Sequence, residues 1–222
     1  MMPQVVNGIH LPPNDTHMAG AVAAAPLFEG KGTYQLHKLQ AALPHVRGFG
    51  LAIDVGAHVG LWTRVLAAHF DEVDAFEMCQ MHRDCLRLNC GGLPNVVIQP
   101  LTALGFEQGW ALIQTERDNS GNTRVGHSGG NGQQVPMAPL SQFYTANAQV
   151  DFIKIDVEGY EMQVVKGGEE LIRRCRPTMV VEQKPGHAER YGTRTGEVID
   201  LLKSWGARTM WQKAGDFCLK WE

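Results

Sequence analysis

The chain has 222 residues, 44% of them hydrophobic and 19% charged, with a formal net charge of −3. That length suits one good-sized domain and excludes two ordinary domains joined by a linker, while the hydrophobic balance excludes a disordered chain. The slight negative charge exerts no overall pull toward nucleic acid. Cys79, Cys85, Cys90, Cys175 and Cys218 form no C-x-x-C pair, which removes the zinc-ribbon and thioredoxin readings. An odd count without a framework predicts free thiols in a reducing compartment. The apolar stretch from Ala19 to Phe28 falls short of the ~20 residues that span a bilayer. No Lys or Arg precedes Lys31, so a signal peptide's basic start is missing. The expectation is a soluble, cytoplasmic protein with no membrane association.

Residues 1–30 carry Pro3, Pro12, Pro13 and Pro26 without a clear period, and read as an irregular arm ending in a short Ala-rich turn or helix. Tyr34 to Leu43 has helical spacing and stops at Pro44. Leu51-Ala52-Ile53 is a short apolar run closed by Asp54-Val55-Gly56, the pattern of a buried parallel strand entering a turn. Leu61, Trp62, Val65, Leu66 and His69 then share one helical face. Val73 to Phe76 is a second strand, Gln80 to Cys90 a second helix stopped by Gly91-Gly92, and Asn95 to Gln99 a third strand. Between residues 105 and 140 the rhythm breaks. Trp110 to Gln114 and Val135 to Leu140 are expected to pair as an inserted antiparallel hairpin around a mobile loop from Asp118 to Gly132.

Alternation resumes with a strand at Phe152 to Ile155 and one helix burying Val164, Val165, Gly168, Leu171 and Ile172. A strand at Thr178 to Val181, a helix at Glu197 to Trp205 and strands at Arg208 to Gln212 and Asp216 to Trp221 complete the chain. The predicted architecture is α/β: a doubly wound, Rossmann-like, mainly parallel seven-stranded sheet. It carries an antiparallel C-terminal edge hairpin and the small inserted β-hairpin.

In such sheets a ligand binds beyond the carboxyl ends of the strands. The first strand here runs into Asp54-Val55-Gly56-Ala57-His58-Val59-Gly60, whose glycines permit a tight turn and a close backbone approach to a ligand. Glu77 ends the second strand 21 residues after Gly56, where an acidic side chain accepts from ribose hydroxyls. Asp54 chooses among nucleoside cofactors. A carboxylate there repels a pyrophosphate but suits the ammonium and sulfonium of S-adenosylmethionine, whose carboxylate helix N–H groups can take.

In chain order stand Ile53 to Thr63 (IDVGAHVGLWT), Ala75-Phe76-Glu77, Asn95-Val96, Ala103-Leu104-Gly105, Asp151 to Glu161 (DFIKIDVEGYE), Val165 to Gly168 (VKGG) and Arg176-Pro177. This series, over roughly residues 50–185, resembles the FkbM-type methyltransferases. The resemblance implies a class I methyltransferase domain over 49–222, preceded by an arm and capping helix over 1–48. It implies S-adenosylmethionine between Gly56, Glu77 and the loop at Leu104-Gly105, to which the reading of the turn adds Asp54, Ala57, His58 and Gly60 as cofactor-binding candidates. It further implies methyl transfer to oxygen, commonly a sugar hydroxyl. Three positions depart from the family pattern: His58 where Asn is frequent, Met78 where Pro often follows the Glu, and Phe106 where an acidic residue often follows the Gly.

Methyl transfer to a hydroxyl requires alignment of the acceptor and removal of its proton. Asp156 and Glu158 follow the fourth strand, Lys154 sits two residues earlier on it, and Glu182, Lys184 and His187 follow the fifth. Two carboxylates beside a lysine could act as a base of tuned pKa, or could hold Mg²⁺ or Mn²⁺, with Asp156 and Glu182 the metal candidates. Glu158 could equally serve the start of the next helix, and His187 could be an ordinary loop histidine. Asn119 to Asn122 could close over the acceptor, and Tyr34, Gln35 and Lys38 could cap the cofactor, or each could be packing only. The expected partner is a small-molecule or glycan acceptor with a hydroxyl group. Nucleic acid is not favoured, since Asp156-Val157-Glu158-Gly159 lacks the proline and aromatic of an amino-group DNA methyltransferase and no Pro-Cys dipeptide occurs, but methylation of a nucleic-acid ribose or base stays the alternative. An NAD-dependent oxidoreductase and a non-catalytic nucleoside-binding module remain the rivals on the same fold.

Overall fold

The computed structural model describes residues 2–116, 118–126 and 132–222. The N-terminal arm is ordered, with strands β1 (Gln4–Val6) and β2 (Ile9–Leu11) paired antiparallel and helix α1 (Thr16–Ala24) after them. Asp15 caps α1, its carboxylate accepting from the Met18 N–H at 2.9 Å. Ile9, Leu11, Met18 and Val22 bury against Val59, Leu61 and Cys85. The prolines hid an apolar pattern too short to show a period, and burial of those four side chains orders the arm.

After helix α2 (Leu36–Ala42) come β3 (Leu51–Val55), α3 (Leu61–Ala67), β4 (Glu72–Phe76), α4 (Gln80–Cys90) and β5 (Val96–Ile98). His69 lies exposed beyond α3, and Phe70 takes the buried place expected of it. The insertion is larger than a hairpin. It is a separate four-stranded sheet of β6 (Ala103–Leu104), β7 (Gly109–Gln114), β8 (Arg124–Val125) and β9 (Gln133–Ala138) in the order β6-β9-β7-β8. β7 and β9 pair antiparallel as the sequence predicts; residues 127–131 of the expected loop lie outside the described residues. The two extra strands have two residues each, below the length at which alternation can be read.

The rest is β10 (Phe152–Ile155), α5 (Glu161–Gly167), α6 (Glu169–Cys175), β11 (Thr178–Glu182), α7 (Glu197–Ser204), β12 (Ala207–Lys213) and β13 (Asp216–Trp221). The main sheet has seven strands in the order β12-β13-β11-β10-β3-β4-β5, parallel from β11 to β5 and antiparallel at the β12–β13 edge. The helix expected over 164–172 is two helices, divided at Gly167-Gly168. A Cβ on Gly167 would stand 1.9 Å from the Gly105 carbonyl oxygen, so α5 meets the end of β6 backbone to backbone.

Period-two alternation sorts the central strands between two cores. Ile53, Val55, Ile153, Ile155, Met179 and Val181 face one side, with Val164, Leu171, Val198 and Leu202 of α5–α7. Ala52, Phe152 and Val180 face the other, with Leu39, Trp62, Val65 and Leu66 of α2 and α3. Asp54 and Lys154 lie on that second face at matched register on neighbouring strands, so two charges point into a core. Among the described residues no helix is long and apolar enough to cross a membrane.

Candidate active site

The chain after β3 folds back onto β4: the Gly56 and Ala57 N–H groups both donate to the Phe76 carbonyl, at 3.0 and 2.9 Å. Gly56 has φ +75°, and a Cβ there would lie 2.0 Å from the Asp156 carbonyl oxygen. Its glycine is therefore demanded by the neighbouring strand's backbone as much as by any ligand. Lys154 lies beneath this turn. Its ammonium donates to the Gly56 carbonyl at 2.8 Å and stands 3.3 Å from Asp54 and 3.9 Å from Asp156. Burial disfavours its charge, but the Asp54 and Asp156 carboxylates more than compensate and raise its pKa. Asp54 is fully buried, accepts from the Thr63 hydroxyl at 2.7 Å, and does not line the cavity above. The carboxylate expected to attract the cofactor's cations is thus placed to hold Lys154 and, through it, the turn.

That cavity lies over the carboxyl ends of β3, β4 and β10. Gly56, Ala57, His58, Glu77 and Leu104 line it, and so do Lys154, Asp156, Glu158 and Glu182. Gly60, Gly105 and His187 are not among its lining residues. Its roof comes from two places that sequence spacing did not join: His17, Met18 and Tyr34 from the N-terminal part, and Asn119 to Thr123 from the insertion. A hydrogen-bond chain bolts them together. Asp15 accepts from the Ser120 N–H at 3.1 Å and from its hydroxyl, and Ser120 Oγ lies 2.6 Å from His58 Nε2. Burial, then the charge of His82, lowers the His58 pKa to about 3, so its ring is neutral. With Ser120 donating to Asp15, His58 presents Nε2–H to the serine. Ser120 belongs to the Asn119–Asn122 turn singled out in the sequence, whereas Asp15 was not singled out there. Of the proposed capping residues, Tyr34 lines the cavity, whereas Lys38 pairs with Asp216 at the sheet edge.

Glu77 is 6% exposed. One oxygen accepts from the His58 N–H at 2.8 Å, the other from the Cys79 N–H at 2.8 Å. His82 Nδ1 lies 3.4 Å from that second oxygen. Six buried polar atoms of cavity-lining residues have no hydrogen-bond partner among the described residues; Glu158 Oε2 and Glu182 Oε1 face charged neighbours, which leaves Trp62 Nε1, His82 Nε2, Asn119 Oδ1 and Thr123 Oγ1. Such atoms cost about 1–3 kcal/mol each when left unpaired. Beside the apolar Leu61, Phe76 and Leu104 they suit an occupant with a flat apolar part and several polar groups.

At the other end, three carboxylates converge. Lys184 Nζ is 2.9 Å from Glu182 and 3.6 Å from Glu158, and His187 Nδ1 is 3.0 Å from Glu158. Burial, then the charge of Asp156, raises Glu158 to about 7 and pushes Glu182 up as well. Asp156 is held low by Lys154 and Lys184, which overcome its own burial. The cluster therefore keeps one ionised carboxylate beside two that retain protons readily. Glu158 sits at φ +58°, and the turn that places it is tied down by Glu161, which accepts from the Val157 and Gly159 N–H groups at 3.2 and 2.9 Å. Gln183 donates to the other Glu161 oxygen at 3.1 Å. Glu161 was present in the motif without a role; its place three residues past Glu158 was the only sign.

A parallel sheet with an antiparallel edge, a glycine turn facing an acidic strand end, and a cavity running to a carboxylate cluster define a doubly wound α/β protein with a candidate nucleoside-cofactor site. The methyltransferase FkbM domain matches residues 54–209, and the chain belongs to that family. No curated protein matches the chain. Similar solved structures include the methyltransferase FkbM of Methylobacillus flagellatus KT, at 17% identity and TM-score 0.48 over 78% of this chain and 43% of that one. The chain thus spans less than half of that protein's length. A SAM-dependent methyltransferase of Aquifex aeolicus aligns at 16% identity and TM-score 0.43, covering 82% and 88% of the two chains. NodS, an N-methyltransferase of Bradyrhizobium japonicum WM9 solved with S-adenosyl-L-homocysteine, aligns at 11% identity and TM-score 0.47, covering 83% and 82%.

Proposed function

We propose that the protein methylates the hydroxyl of a sugar or other small molecule, with the cofactor between the Gly56–His58 turn, Glu77 and Leu104 and the acceptor over Asp156, Glu158 and Glu182. One observation carries this reading: a single cavity has both the turn and the carboxylate cluster in its wall. S-adenosylmethionine supplies an electrophilic methyl group; the acceptor oxygen gains that carbon as the carbon–sulfur bond breaks, and S-adenosylhomocysteine leaves. The residues here must then align the acceptor and take its proton. Glu77 keeps a free lone pair for a ribose hydroxyl, since each of its oxygens accepts a single backbone N–H. Asp156 is ionised, 21% exposed and next to Lys154, which suits it to orient the acceptor or accept its proton directly. Glu158, once it has lost its own proton, is the neighbour to which that proton can pass, whereas Glu182 keeps its proton through the neutral range.

A second reading changes only how the proton is lost. Glu158, Glu182 and His187 each offer one ligand atom, and these atoms lie within 4.8 Å of one another. Mixed carboxylate and imidazole donors suit Mn²⁺ or Zn²⁺ better than Mg²⁺. Asp156 lies outside that set. Asp156→Asn is expected to bind S-adenosylhomocysteine like wild type while turnover on a hydroxyl acceptor falls by about 10²–10⁴. Unchanged turnover would remove Asp156 from the chemistry. Activity lost to EDTA and restored by Mn²⁺ would favour metal assistance; indifference to EDTA would leave direct base catalysis.

A further inference from the structure

The Glu77 carboxylate needs more than its two backbone donors. It is almost wholly buried, and an isolated buried carboxyl tends to hold its proton. A protonated Glu77 would offer one fewer acceptor site to a ribose diol. The side chain that opposes this is His82, one turn into α4 and 1% exposed, with Nδ1 directed at Glu77. Its ring is fixed from a second side by His58, edge-on at a centroid distance of 4.5 Å and 76°. Its Nε2 is buried without a partner among the described residues, although the ring lines the cavity. A histidine placed only for packing would not leave a buried N–H unpaired in a ligand cavity.

We propose that His82 is a positioning residue for cofactor binding: it holds the Glu77 carboxylate in its ionised, cofactor-facing orientation. The proposal rests on the reading that Glu77 meets the ribose. The groups facing His82 are Glu77 and Cys79 from the β4–α4 turn and His58 from the β3–α3 turn. Arg83, beside it on α4, reaches the Glu77 carbonyl at 3.2 Å. Burial works against the imidazolium, but Cys79 and Glu77 raise it to about 10. Burial likewise works against the Glu77 carboxylate, and His82 at 3.4 Å, helped by His58 and the Cys79 N–H, takes it down to about 2. Both groups thus keep their charges across the neutral range, and a neutral replacement of His82 returns Glu77 to the control of burial.

The test is calorimetry with S-adenosylhomocysteine from about pH 5.5 to about 8.5 on wild type, His82→Leu, His82→Gln and Glu77→Gln. Wild type is expected to bind with a flat pH profile. His82→Leu is expected to bind about 10-fold more weakly near neutrality, with affinity rising as pH rises and Glu77 ionises. His82→Gln, which keeps a donor but no charge, is expected to recover part of the affinity and retain the slope. His82→Leu and His82→Gln both binding with the wild-type affinity and flat profile would overturn the proposal. If His82→Leu does not fold, His82→Gln and the ¹⁵N shifts of wild-type His82 decide. A neutral imidazole at pH 7.5 or a flat His82→Gln profile would refute the role. Glu77→Gln binding like wild type would instead refute the ribose contact itself.

Discussion

Replacing Asp54 by Asn separates two roles for the first acidic residue of the glycine turn. Asn keeps the shape and can still accept from Thr63, so the change removes one charge and little else. Lys154 is then left with its ammonium 7% exposed, facing the Gly56 carbonyl and an Asp156 carboxylate 3.9 Å away. Removing one partner of a buried ion pair costs roughly 3–5 kcal/mol, and the remaining contacts place this case near the lower end, about 3 kcal/mol. In a chain of this size that is a fall in Tm of about 6–12 °C. Urea unfolding of Asp54→Asn, Lys154→Met and the double variant measures it. The double variant leaves no unpaired charge, so it is expected to be no less stable than the worse single, with a coupling of about 2 kcal/mol. S-adenosylhomocysteine affinity should fall only in proportion to the unfolded fraction. A stable Asp54→Asn protein that no longer binds the ligand would refute this reasoning and return Asp54 to direct contact with the cofactor.

Gly56→Ala is expected to lose thermal stability and ligand binding together, because φ +75° and the Asp156 oxygen 2.0 Å away leave no room for a Cβ. Gly92→Ala, which enters open space, is the control, and a Gly56→Ala melt matching it would show that the turn adjusts. For methyl transfer, kcat/KM is expected to rise with pH through about 7, since Glu158 must lose its proton before it can receive another. Glu158→Gln should shift that inflection, and a flat wild-type profile across it would exclude the cluster as proton sink.

The sequence by itself determined the alternation of strands and helices, the α4 limits at Gln80 and Cys90, the C-terminal hairpin and the strand ends that carry Gly56, Glu77, Asp156 and Glu182. Those features follow from local patterning: apolar runs, helical period and glycine stops act over a few residues and are written in order. Tertiary structure alone decided what each polar side chain meets. Lys154 in a buried strand demanded a counter-charge, but that Asp54 supplies it depends on β3 and β10 lying side by side in matched register. The roof depends on Asp15 meeting Ser120 across 105 residues of chain, and the Gly167 close approach depends on α5 docking against Gly105. Such contacts depend on strand order and packing, which place residues distant in the chain against one another and have no periodicity to betray them.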